Sequence, residues 1–78
     1  MQTLPIKVLI ADDEANIRNL LSEGLSSRVE HVTEVSEGPE ALAQLEKNDF
    51  DILLLDINMP DMNGIEVLKK LKLLDVSV

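Results

Sequence analysis

Three aspartates that each follow an apolar run are the residues of this chain best suited to chemistry. Asp12 and Asp13 come directly after the run Ile6–Ala11, and Asp56 comes directly after Ile52–Leu55. Carboxylate oxygens are ligands that Mg²⁺ prefers, and a carboxylate can also attack phosphorus and carry an acyl phosphate. If the three side chains meet, they repel one another unless a cation neutralises them. The three residues therefore predict a magnesium site at which Asp56 acts as a nucleophile.

Each aspartate taken alone also has an ordinary structural interpretation. Asp12 or Asp13 could cap a helix, with Asp13 placed to be the N-cap of the first helix, and Asp56 could be a turn residue. Helix capping does not explain acids that close two buried strands of one parallel sheet, because the sheet brings their charges together. The joint pattern therefore favours a chemical role.

The elements that must position these aspartates alternate between strand and helix. Apolar and β-branched runs predict strands at 6–11, 29–35 and 51–56, and apolar residues at helical spacing predict helices at 14–26, 39–48 and 64–74. This alternation implies right-handed crossovers and a parallel sheet, so the carboxyl ends of all strands face the same way. The sequence predicts an α/β fold of three βα units, with helices covering the sheet.

The composition of each element predicts how far it is buried. Four consecutive aliphatic residues, Ile52–Leu55, are typical of a strand buried on both faces, whereas Val29–Val35 is interrupted by charges and is typical of an edge strand. Gly38 and Pro39 are expected to open the second helix, and Pro60 and Gly64 to mark the loop before the third. The residues expected to form the apolar stripes are Ile17, Leu20, Leu21 and Leu25 in the first helix, Ala41, Leu42 and Leu45 in the second, and Val67, Leu68, Leu71 and Leu74 in the third.

Composition excludes several classes of function. The chain has 78 residues, enough for one small domain, and it contains no cysteine, so disulfides and thiolate metal sites are excluded. A formal net charge of −8 argues against direct binding to nucleic acid, because the phosphate backbone is also negative. We find neither a membrane-length apolar run nor a signal-peptide pattern. We therefore expect a soluble cytoplasmic protein.

The motifs around the aspartates resemble the receiver domain of two-component response regulators. The resemblance is carried by Val8–Glu14 (Val-Leu-Ile-Ala-Asp-Asp-Glu), Ile52–Asp56 (Ile-Leu-Leu-Leu-Asp) and Met59–Gly64 (Met-Pro-Asp-Met-Asn-Gly), together with the spacing between them. Ser36–Leu42 is similar to the entry of the family's second helix. This resemblance implies a flavodoxin-like (βα)3 parallel sheet whose strand order is 2-1-3, with helices on both faces.

The resemblance also implies a role for each site residue. Asp56 matches the phosphoacceptor, Asp13 the acid that ligates Mg²⁺ directly, and Asp12 the acid that acts largely through water. Asn58 matches the position whose backbone carbonyl binds the metal. The implied partner is a sensor histidine kinase or a phosphotransfer protein, and the implied chemistry is at most self-catalysed phosphoryl transfer to Asp56, rather than turnover as an enzyme.

The resemblance covers the first three of the family's five βα units, so residues 1–78 are expected to form a truncated, partial receiver domain. The family's hydroxyl residue after strand four and its lysine after strand five have no counterpart, and Ser77 is not placed to replace that hydroxyl. We therefore expect impaired phosphorylation. We also expect a homodimer in which the open edge of strand three, or the tail 75–78, completes the sheet of a second copy.

Three alternatives start from the same residues. A calcium-binding EF-hand loop starting at Asp56 fails, because Pro60 falls at its fifth position and Val67 falls where a bidentate Glu is required. A phosphatase that uses an aspartate nucleophile stays open as a weaker alternative, because it would need an acid two residues later and this chain has Asn58 there, which cannot act as a general acid or base. The third alternative is a receiver fragment that is not phosphorylated and acts as a structural or dimerisation module.

Overall fold

The computed structural model describes residues 3–59 and 62–74. Strands and helices alternate throughout this part of the chain, as the sequence predicts. The elements are β1 (Leu4–Ala11), α1 (Ala15–Ser26), β2 (Val29–Val35), α2 (Gly38–Lys47), β3 (Ile52–Leu55) and α3 (Gly64–Leu73). The predictions for Pro60 and for the tail 75–78 lie outside the described residues.

The three strands form one parallel sheet in the order β2-β1-β3, which confirms the predicted topology. Leu9 at the centre of β1 is in register with Thr33 of β2 and with Leu53 of β3. β1 begins two residues earlier than the sequence predicts, because the Leu4 amide donates to the Arg28 carbonyl oxygen (2.8 Å) ahead of an irregularity in the β1–β2 register. The central position of β1 explains why its last four residues are all buried.

The sheet has a separate apolar core on each face, so helices cover both faces as predicted. On one face α2 and α3 pack over Leu9 and Ala11, and their buried residues are Ala41, Leu42, Leu45, Val67 and Leu71. On the other face the core is Val8, Ile10 and Val29, against which Leu25 of α1 packs. The face with two helices therefore holds the larger core.

β3 is less buried than its aliphatic sequence predicts. Ile52 is 42% exposed, and Leu53, Leu54 and Leu55 are half-buried. The prediction of a strand buried on both faces is therefore wrong for the described residues. The reason is that β3 is the last strand of the sheet and pairs on one side with β1.

Two helices also bury less than their apolar stripes predict. α1 has no buried residue, and Ile17, Leu20 and Leu21 are 43%, 69% and 37% exposed. In α3 the prediction is right for Val67 and Leu71 and wrong for Leu68 and Leu74, which are more than half exposed. Periodicity identified the apolar side of each helix, but the described elements cover only part of it.

Within the described ranges, none of the helices combines the length and the apolar character needed to cross a membrane.

Candidate functional site

The acidic pair stands at the carboxyl end of the central strand. β1 ends at Ala11, and the Asp12 amide donates to the Val35 carbonyl oxygen at the end of β2 (3.2 Å). This hydrogen bond continues the β1–β2 ladder by one residue beyond the strand. Asp12 and Asp13 therefore leave the sheet from a fixed backbone position.

Asp56 is held at the same edge of the sheet by the neighbouring strand. Its amide donates to the Ala11 carbonyl oxygen (2.9 Å), which extends the β1–β3 ladder just past the end of β3. Because β1 and β3 are adjacent and parallel, the three carboxyl groups converge. One oxygen from each of Asp12, Asp13 and Asp56 lies within 4.8 Å of the others.

The carboxylates of Asp12 and Asp56 each accept a hydrogen bond from the backbone amide two residues later in the chain. Asp12 Oδ1 accepts from the Glu14 amide (2.9 Å), and Asp56 Oδ1 accepts from the Asn58 amide (3.0 Å). Both are local turns of the kind that aspartate favours, so the turn interpretation of Asp56 describes its backbone correctly. The second oxygen of each carboxylate can still accept a ligand.

The helix-cap interpretation of Asp13 is wrong. α1 begins at Ala15 with Glu14 at the N-cap position, and no side chain makes the cap hydrogen bond there. The side-chain contact in this loop comes from Asp12, which bonds the Glu14 amide. The Asp13 side chain is exposed, whereas Asp12 and Asp56 are half-buried. Asp13 is therefore the open side of the cluster.

A cavity of about 270 Å³ lies beside the cluster. Asp12 and Asp56 line its polar side, and Leu21, Leu54 and Leu55 contribute to its apolar walls. The two half-buried carboxylates are therefore partly shielded from water by aliphatic side chains while remaining accessible to a small ligand.

Asn58 contacts the site through its backbone. Its amide bonds Asp56, and its side chain is exposed. The metal-binding role of its carbonyl oxygen stays a prediction.

Three residues support the site through contacts that sequence reasoning did not predict. Arg18 of α1 donates through Nη1 to the Asp12 carbonyl oxygen (2.8 Å). Asn63 caps α3, with Oδ1 accepting from the Glu66 amide (2.9 Å). Gly64 packs against the backbone of Asp56. The Asn63-x-x-Glu66 spacing is a capping signal that the sequence did contain, whereas no local pattern pointed to Arg18.

The donor set decides what this arrangement can do chemically. It offers hard oxygen atoms from three carboxylates and no sulfur or imidazole nitrogen. Such a set suits a hard divalent cation better than zinc or copper. Asp56 is half-buried, contributes an oxygen to the cluster and also lines the cavity, so a small ligand in the cavity can contact its carboxylate.

Comparisons with known proteins agree with this geometry. A family model described as "Response regulator receiver domain" matches residues 8–78. The transcriptional regulatory protein TrcR of Mycobacterium tuberculosis is 39% identical over 72 residues, covering 92% of this chain and 28% of TrcR. The chain is also similar to the chemotaxis response regulator CheY4 of Vibrio cholerae, with a TM-score of 0.86 and 36% identity over 92% of this chain and 60% of that one.

A second solved structure is also similar to this chain. The response regulator TrrA from Thermotoga maritima, in complex with Mg²⁺–BeF, has a TM-score of 0.80 and 36% identity to this chain, covering 86% of it and 58% of TrrA. The chain thus spans about three fifths of these two structures and less than a third of TrcR.

Proposed function

The chain belongs to the response regulator receiver domain family, and we propose that residues 1–78 form a partial receiver whose Asp56 accepts a phosphoryl group with the help of Mg²⁺. The observation that carries this proposal is the convergence of Asp12, Asp13 and Asp56, whose carboxylate oxygens lie within 4.8 Å of one another. Phosphoryl transfer to Asp56 with the help of Mg²⁺ requires such a cluster at the carboxyl ends of β1 and β3.

The donor set fits Mg²⁺. Ligand oxygens lie about 2.0 to 2.1 Å from Mg²⁺, so two oxygens on opposite sides of one ion are about 4.2 Å apart. The three carboxylate oxygens lie within 4.8 Å of one another, so one ion could contact all three residues directly or through water. As the family implies, we propose direct ligation by Asp13 and Asp56, with Asp12 acting largely through water. The backbone carbonyl of Asn58 completes the proposed protein ligands. Bound Mg²⁺ would supply positive charge that neutralises the oxygens of an incoming phosphoryl group.

Asp56 is the residue that reacts. An oxygen of its carboxylate forms the new bond to phosphorus while the bond from phosphorus to the donor atom breaks, and the electron pair of that bond leaves with the donor. The Asn58 amide holds Asp56 Oδ1 (3.0 Å), so the carboxylate is oriented before the donor arrives. The product is an acyl phosphate on Asp56.

The proposed partner is a sensor histidine kinase or a phosphotransfer protein, as the family implies, and the proposed compartment is the cytoplasm. The chain is not proposed to turn over as an enzyme, since the chemistry stops at self-catalysed transfer to Asp56. Small acyl phosphates can replace the protein donor, because the reacting residue and the proposed cation ligands are in the chain itself.

Labelling by acetyl phosphate tests this function. The wild-type protein should gain one phosphoryl mass in the presence of Mg²⁺ and lose it in hydroxylamine, which cleaves acyl phosphates. Asp56→Asn should abolish labelling. Asp49→Asn is the matched control, because Asp49 is an exposed aspartate next to the end of α2 and away from the cluster. Labelling that persists in Asp56→Asn would move the chemistry elsewhere.

A second function, assembly as a homodimer, is favoured by a different observation. Ile17, Leu20 and Leu21 of α1 and Ile52 of β3 are all more than a third exposed, and β3 is an edge of the three-stranded sheet that the described residues form. Unpaired strand edges and exposed apolar patches favour association. We propose that a second copy pairs along β3 and covers these residues.

A further inference from the structure

We infer that Arg18 is a positioning residue that fixes the direction of the acidic pair. This inference rests on the proposed metal site, because it concerns how Asp13 is presented to a cation. Arg18 lies in the first turn of α1, and its Nη1 atom lies 2.8 Å from the Asp12 carbonyl oxygen.

The oxygen that Arg18 contacts belongs to the peptide that joins Asp12 to Asp13. Rotation of this peptide plane changes where the following side chain points, so its hydrogen bond to Arg18 bears directly on the direction of Asp13. The other bonds in the loop hold Asp12 itself, through its amide (3.2 Å to the Val35 carbonyl oxygen) and its carboxylate (2.9 Å to the Glu14 amide). Asp13 is exposed, and its position depends on the backbone.

Arg18 is also held by a contact with β2. Its Nε atom lies 3.6 Å from Glu34 Oε1 on β2, and its side chain is only 20% exposed. The guanidinium therefore bridges β2 and the loop after β1 through two different nitrogen atoms held in one plane, a geometry that the single nitrogen of lysine does not reproduce. Partial burial strengthens both contacts relative to those of a fully solvated arginine.

The direction in which Mg²⁺ affinity changes when Arg18 is replaced separates a positioning role from a purely electrostatic effect of its charge. A positive group near a cation site repels the cation, so loss of Arg18 charge alone would raise Mg²⁺ affinity. Loss of a residue that orients a ligand lowers affinity, typically by about tenfold or more. The two roles therefore predict opposite changes in the same measurement.

The test is calorimetric Mg²⁺ titration of the whole chain, with amide NMR spectra of the metal-free protein. Arg18→Gln should bind Mg²⁺ about tenfold more weakly and shift the Asp13 amide before metal is added. Arg18→Lys should be intermediate, because it can reach one partner at a time. Arg28→Gln removes the same charge from an exposed residue next to the amino end of β2, and it should bind like the wild type.

Unchanged or tighter Mg²⁺ binding by folded Arg18→Gln would overturn the inference. If that variant does not fold, Arg18→Lys decides, and wild-type affinity in Arg18→Lys would equally overturn it. A wild-type protein that fails to bind Mg²⁺ would instead refute the proposed metal site. In that case the NMR spectra of the metal-free protein test the role of Arg18. An Asp13 amide resonance at the wild-type position in Arg18→Gln would reject a positioning role. If Arg18→Gln is unfolded, the same result in Arg18→Lys would reject it.

Discussion

Gly64 packs so closely against Asp56 that a Cβ atom at residue 64 would lie 2.6 Å from the Asp56 carbonyl oxygen and 3.0 Å from the Ile57 Cα atom. The Gly64 amide also donates to the Ile57 carbonyl oxygen (3.0 Å). The first residue of α3 is thus in contact with the backbone that carries the proposed phosphoacceptor.

Gly64→Ala is expected to destabilise the fold and displace Asp56. The contact atoms are backbone atoms, which cannot move aside as a flexible side chain would, and overpacking of this kind costs about 1 to 3 kcal/mol. Chemical denaturation measures the loss, and acetyl phosphate labelling should slow in the fraction that remains folded. A stable Gly64→Ala protein with normal labelling would show that the backbone yields without cost.

Gly24→Ala is the matched glycine substitution and should stabilise the fold, whereas Gly64→Ala should destabilise it. Apart from its chain neighbours and the nearby backbone of its own helix, a Cβ atom at residue 24 would have no described atom within 4 Å, and the residue lies inside α1. Alanine in a helix interior gains about 0.5 to 1 kcal/mol over glycine. The denaturation midpoint should rise while labelling is unchanged. A fall in the midpoint would mean that α1 is not helical at this position.

Asp13→Asn should have opposite effects on stability without and with Mg²⁺, because it removes both a repulsive charge and a proposed metal ligand. Without Mg²⁺ the variant should be more stable than the wild type, because one of three clustered negative charges is gone. With Mg²⁺ at a hundred times its Kd the wild type should gain about 2.7 kcal/mol, and the variant should gain much less. Thermal melts with and without Mg²⁺ measure both effects. Equal Mg²⁺ stabilisation in the two proteins would exclude Asp13 as a ligand.

Asn63→Ala should weaken the start of α3. Asn63 Oδ1 accepts from the Glu66 amide (2.9 Å), and loss of such a cap costs about 0.5 to 2 kcal/mol. Asn63→Ser restores a capping side chain and should recover most of the stability. Denaturant melts of the two variants give the comparison, and equal stability of the Ala and Ser variants would argue against a capping role.

Ile52→Lys should disrupt the proposed homodimer. A lysine on the β3 edge discourages strand pairing, so sedimentation equilibrium should move toward the monomer and the melting midpoint should lose its dependence on protein concentration. Leu4→Lys makes the same chemical change at another exposed strand residue, outside the β1–β3 pairing. A wild-type monomer whose melting midpoint is independent of concentration would rule out this mode of assembly.

The order of the elements, the parallel sheet and the place of the aspartates could all be predicted from the amino-acid sequence. These follow from local signals: the apolar runs at β1 and β3 end directly before Asp12 and Asp56, and adjacent parallel strands put those ends at one edge. The buried stripe of α2 could also be predicted, because this helix packs on a sheet formed by strands close to it in the chain. The roles of the site residues remain proposals.

The covered fraction of each apolar stripe and the contacts that hold the acidic pair became visible only in the folded chain. Helical periodicity states which side of α1 or α3 can be buried, but Leu20 and Leu68 remain exposed because burial requires another element to lie over them. Arg18 reaches the Asp12 carbonyl because α1 packs beside β1 and β2, which places its side chain between the loop and Glu34. Such contacts depend on elements brought together by folding, and no local pattern encodes them.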